Sequence, residues 1–197
     1  MQNDKVAEVQ TLQLIEKIRL GDLAAYDNLF EREIDRLLLY IEHRLGKRLG
    51  AKVEPIDVLQ ETFLEAHRTF DRFEYRGPRS FRAWLCRIAS SRINKAADWF
   101  GAKKRSIDKE FALGSALLVR LQTQATKPLS DVIRSEKCQQ LTKGLEQLED
   151  EEKEVILLRF FQELTVSEIA AELKISLSTV KRLLVRATYR LGSLLEE

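Results

Sequence analysis

The sequence predicts an all-α protein of two helical modules joined by a linker, the C-terminal one containing a helix-turn-helix. Three observations carry this. Apolar residues recur every three to four positions through most of the 197 residues, the period of a helix with one buried face. Only 8 Gly and 3 Pro occur, too few turn residues for a fold of many short strands. A polar stretch, QTQATKPLS, interrupts the period and carries Pro128, which reads as an interdomain linker. The composition, 44% hydrophobic and 32% charged, can bury a core and is not that of a disordered tail.

The first helix is expected from Leu23, with Tyr26, Leu29, Phe30, Ile34, Leu37, Leu38, Ile41 and Leu45 inward. Gly21-Asp22 caps it, and the stretch from Gly46 to Gly50 ends it. A second helix fits Pro55 to about Phe73, with Val58, Leu59, Phe63, Leu64, His67 and Phe70 on its apolar side. Gly77-Pro78 then breaks the pattern, and Ser80 caps a third helix carrying Phe81, Trp84, Leu85, Ile88 and Ile93. Residues 101–130 form the linker, with a basic cluster of Lys103, Lys104 and Arg105. From Asp131 the helical period returns through Val132, Ile133, Leu141, Leu145 and Leu148. The acidic stretch Glu149 to Glu152 opens the next helix, where negative charge is favourable; Val155, Ile156, Leu158, Phe160 and Phe161 follow. Two shorter helices close the chain, near Val166 to Leu173 and Leu177 to Leu195. The modules are therefore 10–100 and 131–197, with 101–130 between them.

The most informative segment is TVSEIAAELKISLSTVKRLLVRA, Thr165 to Ala187. Ile169 and Leu173 give a short helix an apolar face, and Ala170 is small enough for a second helix to cross closely. Lys174-Ile175-Ser176 is a three-residue turn in which Ile175 plugs the corner and Ser176 caps the next helix. Val180, Leu184, Ala187 and Leu191 then face inward. This is the pattern of a helix-turn-helix, whose second helix lies in a major groove. Lys174 stands where many such turns place Gly, and a left-handed backbone there costs on the order of 1 kcal/mol.

Net charge is only +2, so an argument for nucleic acid must be local. Between Lys174 and Leu195 there are five basic residues and no acidic one. Ser178, Thr179, Lys181, Arg182 and Arg186 occupy the exposed face, the first turn suited to base edges and the later arginines to phosphates. The competing reading is an ordinary basic, solvated face on a helical hairpin; the turn grammar favours DNA.

Other chemistries find little support. His43 and His67 lack Glu-x-x-His spacing, and Cys86 and Cys138 have no partner at zinc spacing. No phosphate-binding G-x-x-x-x-G-K-[ST] loop or G-x-S-x-G elbow occurs. Paired acids such as Glu31 and Glu33, or Glu151 and Glu152, read as solvated or helix-N-terminal charge. The expectation is a non-enzyme with no metal, no cofactor and no small-molecule substrate. No apolar run exceeds about five residues, against roughly 18 for a membrane span, and the N-terminus lacks a signal-peptide core, so no membrane insertion and a cytoplasmic location are expected. Reduced thiols fit that compartment.

Two further stretches sharpen the reading: DVLQETFLEA, Asp57 to Ala66, and SFRAWLCRIASSRINKAAD, Ser80 to Asp98. In order with LEQLEDEEKEVILLRFFQELTVSEIAAELKISLSTVKRLLVRA, they resemble a bacterial RNA polymerase sigma factor of the compact extracytoplasmic-function group, over roughly Leu14 to Leu194. The resemblance implies that residues 10–100 are a region-2-like domain and 131–197 a region-4-like domain. It implies docking on core RNA polymerase through Asp57, Gln60, Glu61 and Leu64, which recur at helical spacing; the bland alternative is that Asp57 caps its helix and Glu61 is solvated. It implies melting and reading of a minus-ten promoter element by Arg76 through Lys95. There Arg76, Arg79, Arg82, Arg87, Arg92 and Lys95 supply charge, and Ser80, Ser91 and Asn94 supply short hydrogen-bonding groups.

Trp84 fits the core better than a stacking platform, and Trp99 fits either. The helix-turn-helix would read the minus-thirty-five element through Ser178, Thr179, Lys181, Arg182 and Arg186. Val185 is open between groove and core, while Leu183 stands where a basic residue is common, which would remove one phosphate contact. About five phosphate contacts would give a log-log salt slope of roughly −4 to −5. Family members are often held inactive by an anti-sigma factor covering both modules, so such a partner is a further expectation beside promoter DNA. The alternative is a stand-alone helix-turn-helix regulator with an N-terminal dimerisation or sensing domain. Residues 1–10 and 103–127 carry no assigned role.

Overall fold

The computed structural model describes residues 2–77, 79–101 and 136–195. The expected linker, its basic cluster and the calls on Val132 and Ile133 fall outside the described residues apart from Gly101. The chain divides into two compact units, Met1–Val132 and Ile133–Glu197, and its described elements are helical.

In the first unit, α1 (Gln2–Arg19) precedes the first helix anticipated from sequence. It is tied down by the buried Ile15 and by Arg19, whose Nη2 donates to the Phe73 carbonyl at 3.2 Å. Gly21 turns the chain at φ +89°, and Asp22 caps α2 (Leu23–Glu31) by accepting the Ala25 N–H at 3.0 Å. The single helix expected from Leu23 to Leu45 is two helices. α2 stops at Glu31 and α3 spans Ile34–Gly50, kinked at Gly46 with φ 58°. Leu23 itself is exposed. Phe30, Ile34 and Leu37 keep their three-four phase across the break, so the apolar period passes over it unmarked. The turn aims Glu33 at Arg82 of the later helix, with Nε donating to Oε2 at 2.6 Å.

α4 (Pro55–Thr69) begins with Pro at its first position, where its missing N–H costs nothing. It runs into a 3₁₀ turn, Phe70–Arg72. α5 spans Ser80–Gly101. Aromatic rings hold α2, α4 and α5 together. Phe30 is wholly buried, with Tyr26, Phe63 and Phe81 centred 4.1, 4.8 and 5.1 Å away. Trp84 is half-buried, packed against Phe73, Phe81 and Phe70 with ring centroids 5.0, 5.8 and 6.1 Å away, on the inner side its spacing predicts. Cys86 is fully buried, and burial pushes its thiol pKa up, which leaves it inert.

The second unit is smaller. α6 (Glu136–Glu146) leads to α7 (Asp150–Ile156), which continues as a π turn, Leu157–Phe161. The wider turn leaves Phe160 exposed, where the helical period placed it inside. α8 (Val166–Leu173) and α9 (Leu177–Leu195) have the expected bounds. Val155, Leu158, Ile169, Ala170, Val180 and Leu183 form the core. α6 and α9 approach closely at Gly144, where an added Cβ would sit 3.0 Å from Leu191 Cδ2.

Candidate nucleic-acid interface

The turn between α8 and α9 is set by its own backbone and caps. Thr165 opens α8 with a capping box: its Oγ1 accepts the Glu168 N–H at 3.3 Å, and Glu168 Oε2 accepts the Thr165 N–H at 2.7 Å. Lys174 is left-handed at φ 54°, ψ 41°. The Ile175 N–H reaches the Ala170 carbonyl at 3.1 Å and the Lys174 N–H that of Ala171 at 3.4 Å, the paired bonds of a Schellman stop. Ile175 packs on the core, and Ser176 Oγ accepts the Thr179 N–H at 3.1 Å to start α9.

α9 therefore leaves the turn with its outer face fixed. Ser178, Lys181, Arg182 and Arg186 are exposed and Thr179 half-buried. The Ser178 and Thr179 hydroxyls each lie 2.8 Å from Ser176 Oγ. Val185 is 69% exposed and faces outward, which excludes its packing inward. Leu183 is a correction: it is buried in the core and cannot be the site of a missing phosphate contact. Leu184 is only half-buried.

Arg186 was expected to meet phosphate, but its guanidinium has two carboxylate partners. Its Nε donates to Glu152 and its Nη2 to Glu149 at 2.7 Å. Arg190 adds a bond to Glu152 at 2.7 Å. Glu152 is fully buried; of the two readings the sequence allows, it is the helix-N-terminal charge, accepting the Glu149 N–H at 3.2 Å in the α7 capping box, and not the solvated one. Burial alone would push its carboxyl pKa up; hydrogen bonds from Arg186, the Glu149 N–H and Arg190 overcome this and hold it below the ordinary value. The network thus fastens α9 to the start of α7. Two of the five basic residues between Lys174 and Leu195 are paired within the module. Sequence reasoning missed the network because its partners lie 34 and 38 positions apart. The available signal was two matched pairs on two helices, Glu149 with Glu152 and Arg186 with Arg190.

In the first unit, Arg87, Ser91, Asn94 and Lys95 are all exposed, at the spacing of one helix face. Arg76 and Arg79 are exposed on the preceding loop, and Arg76 pairs with Glu74 at 2.7 Å. That hydrogen bond lowers the Glu74 carboxyl pKa. Ser80 is a correction. It is buried, lies inside the first turn of α5, accepts the Arg76 N–H at 3.1 Å and donates to the Gly77 carbonyl at 2.7 Å. It shapes the loop and is closed to a base. Arg82 and Arg92 are likewise held internally, by Glu33 and by Glu65 at 2.7 Å. On α4, Asp57, Gln60 and Leu64 are half-buried and Glu61 is exposed. Asp57 stands in the first turn of α4, whose N-cap position is Glu54. Trp99 is half-buried against Phe100, ring centroids 4.4 Å apart.

Comparison with known proteins matches a family to each unit. The Sigma-70 region 2 family matches residues 30–105, and the Sigma-70 region 4 family matches residues 144–191. The chain is 32% identical over 165 residues to the RNA polymerase sigma factor YlaC of Bacillus subtilis, covering 84% of this chain and 88% of that one. It is 28% identical over 186 residues to the ECF RNA polymerase sigma factor BldN of Streptomyces coelicolor, covering 94% of this chain and 66% of that one. A solved structure of CnrH in complex with the cytosolic domain of CnrY is similar at 26% identity and a TM-score of 0.42, covering 96% and 97% of the two chains. A region 2 fold followed by a region 4 helix-turn-helix defines an RNA polymerase initiation factor. The chain belongs to the extracytoplasmic-function sigma factors, and the stand-alone regulator alternative is set aside.

Proposed function

We propose that residues 10–100 dock on core RNA polymerase and capture the melted minus-ten element, that 101–130 join the modules, and that 131–197 read the minus-thirty-five element. The observation carrying this is the pair of exposed, polar-to-basic helix faces: Arg87, Ser91, Asn94 and Lys95 on α5, and Ser178, Lys181 and Arg182 on α9. Arg76 and Arg79 extend the first face along the loop. Thr179 joins the second at its margin, and Arg186 acts there as a positioning residue. Polymerase docking belongs to Asp57, Gln60, Glu61 and Leu64, where acid, amide and methyl groups share one side of α4. The protein is a specificity subunit without catalysis of its own, working in the cytoplasm. Among the described residues no helix is long and apolar enough to cross a membrane.

Two weak DNA surfaces on one polymerase make the second contact effectively intramolecular, so specificity comes from the pair. Replacing Gln60→Ala together with Glu61→Ala tests the docking face. A pull-down should show reduced retention of core polymerase with duplex binding by the free protein unchanged; retention equal to the parent protein's would remove these residues from the docking surface.

A further inference from the structure

We infer that Val185 reads a thymine methyl group in the upstream promoter element, deepening the assignment of α9 to that element and resting on it. α9 buries Val180, Leu183, Ala187 and Leu191, yet leaves three large apolar side chains in water: Leu177 at 52%, Val185 at 69% and Tyr189 at 79% exposure. With Lys181 between the first two, they recur at four-residue steps that each turn about 40° round the helix, so Val185 has Lys181 and Tyr189 as its neighbours on one face. Single exposed apolar residues are ordinary; a row on the outer face of a groove-entering helix is less so. Local propensity does not account for Val185 either, because a β-branched residue is a poor choice for the solvent side of a helix interior.

The surroundings define the ligand. Val185 lies in a shallow groove with Lys181, Arg182, Arg186 and Tyr189. The Arg186 guanidinium is engaged by Glu152 and Glu149, so the middle of the face presents methyl groups, while Lys181 and Arg182 present charge beside them. A matching surface carries negative charge at its margins and an isolated apolar group within. The major groove of duplex DNA fits: phosphates line it, and the C5-methyl of thymine is the apolar group on its base edges. An apolar protein surface would instead have to bury Lys181 inside the row. Val185 stands three residues beyond Arg182, about 4.5 Å along the axis. The thymine therefore falls within one or two base pairs of the Arg182 contact.

The test uses holoenzyme reconstituted from core polymerase and the full chain, on a duplex of its strongest promoter. Each thymine of the upstream element is replaced in turn by deoxyuridine, which deletes one methyl group. At one position the wild-type holoenzyme should lose about three- to fivefold in affinity, the worth of one buried methyl. Val185→Ala, at unchanged thermal midpoint, should lose a similar factor on the thymine duplex and nothing further on that deoxyuridine duplex; Val185→Ile should keep the sensitivity. Deoxyuridine losses equal in wild type and Val185→Ala, or no sensitive position in the wild type, would overturn the inference. A holoenzyme that selects no promoter would overturn the parent reading instead.

Discussion

In the N-terminal module the helix proposed to meet the melted strand, α5, is seated by rings: Phe81 and Trp84 pack among Phe30, Phe70 and Phe73. In the C-terminal module the helix proposed to read the groove, α9, rests on a small aliphatic core and is fastened by Arg186 and Arg190 to Glu149 and Glu152. A short domain buries little apolar area, and directional charge-assisted bonds add orientation that a few aliphatic contacts lack. Each module commits two cations of its candidate face to its own architecture: Arg82 and Arg92 to Glu33 and Glu65 in the larger, Arg186 and Arg190 to Glu149 and Glu152 in the smaller. What differs is the core beside these pairs, aromatic rings in one and mostly aliphatic side chains in the other. α9 combines hydroxyl, cation and methyl groups on one face, whereas the exposed α5 face is built from cations, hydroxyl and amide.

That contrast can be broken most forcefully at Phe30. Phe30→Ala should destabilise the first unit by about 3–5 kcal/mol. Both tryptophans, Trp84 and Trp99, lie in that unit, so fluorescence-monitored denaturation should report the shift directly. A change below about 1 kcal/mol would deny the ring cluster its role. Next in size, Arg182→Ala should cost about 1–3 kcal/mol in discrimination at one base of the upstream element if the contact is bidentate, measured as a change in promoter profile. An unchanged profile would make Arg182 a bystander.

Acid should separate the modules. The Glu152 carboxyl pKa is lowered from 4.5 in the folded protein, so its contribution is fully present above that value and is lost as pH falls through the folded value. The second unit should lose stability across this window, followed by far-UV circular dichroism, and Glu152→Gln should remove that component of the acid dependence. An unaltered acid profile would mean that the carboxylate does not anchor α9. Smallest is Lys174→Gly, which relieves the left-handed backbone and should stabilise the second unit by up to about 1 kcal/mol, read as a raised denaturation midpoint.

The same contrast explains what the sequence disclosed. α8 and α9 could be bounded to the residue because their signals are local: Thr165 with Glu168, Lys174 to Ser176, and the inward Val180. The break at residues 32–33 was invisible, since Phe30, Ile34 and Leu37 hold phase across it and no Gly or Pro marks it. The candidate faces were legible as charge at helical spacing. Which cations remain outward was not, because Arg82, Arg92 and Arg186 find their acids 49, 27 and 34 positions away. Ser80 had the residue type of a cap and of a base contact alike; only the fold shows its hydroxyl turned onto Arg76 and Gly77.

The central claim, two DNA-reading modules acting together on one polymerase, is tested most directly by transcription in vitro with purified core polymerase on a genomic fragment library. Adding the protein should create discrete start sites that share two upstream elements at fixed spacing. Arg182→Ala should weaken dependence on the distal element and Lys95→Ala on the proximal one. Starts that appear without the protein, or that share only one element, would contradict the account.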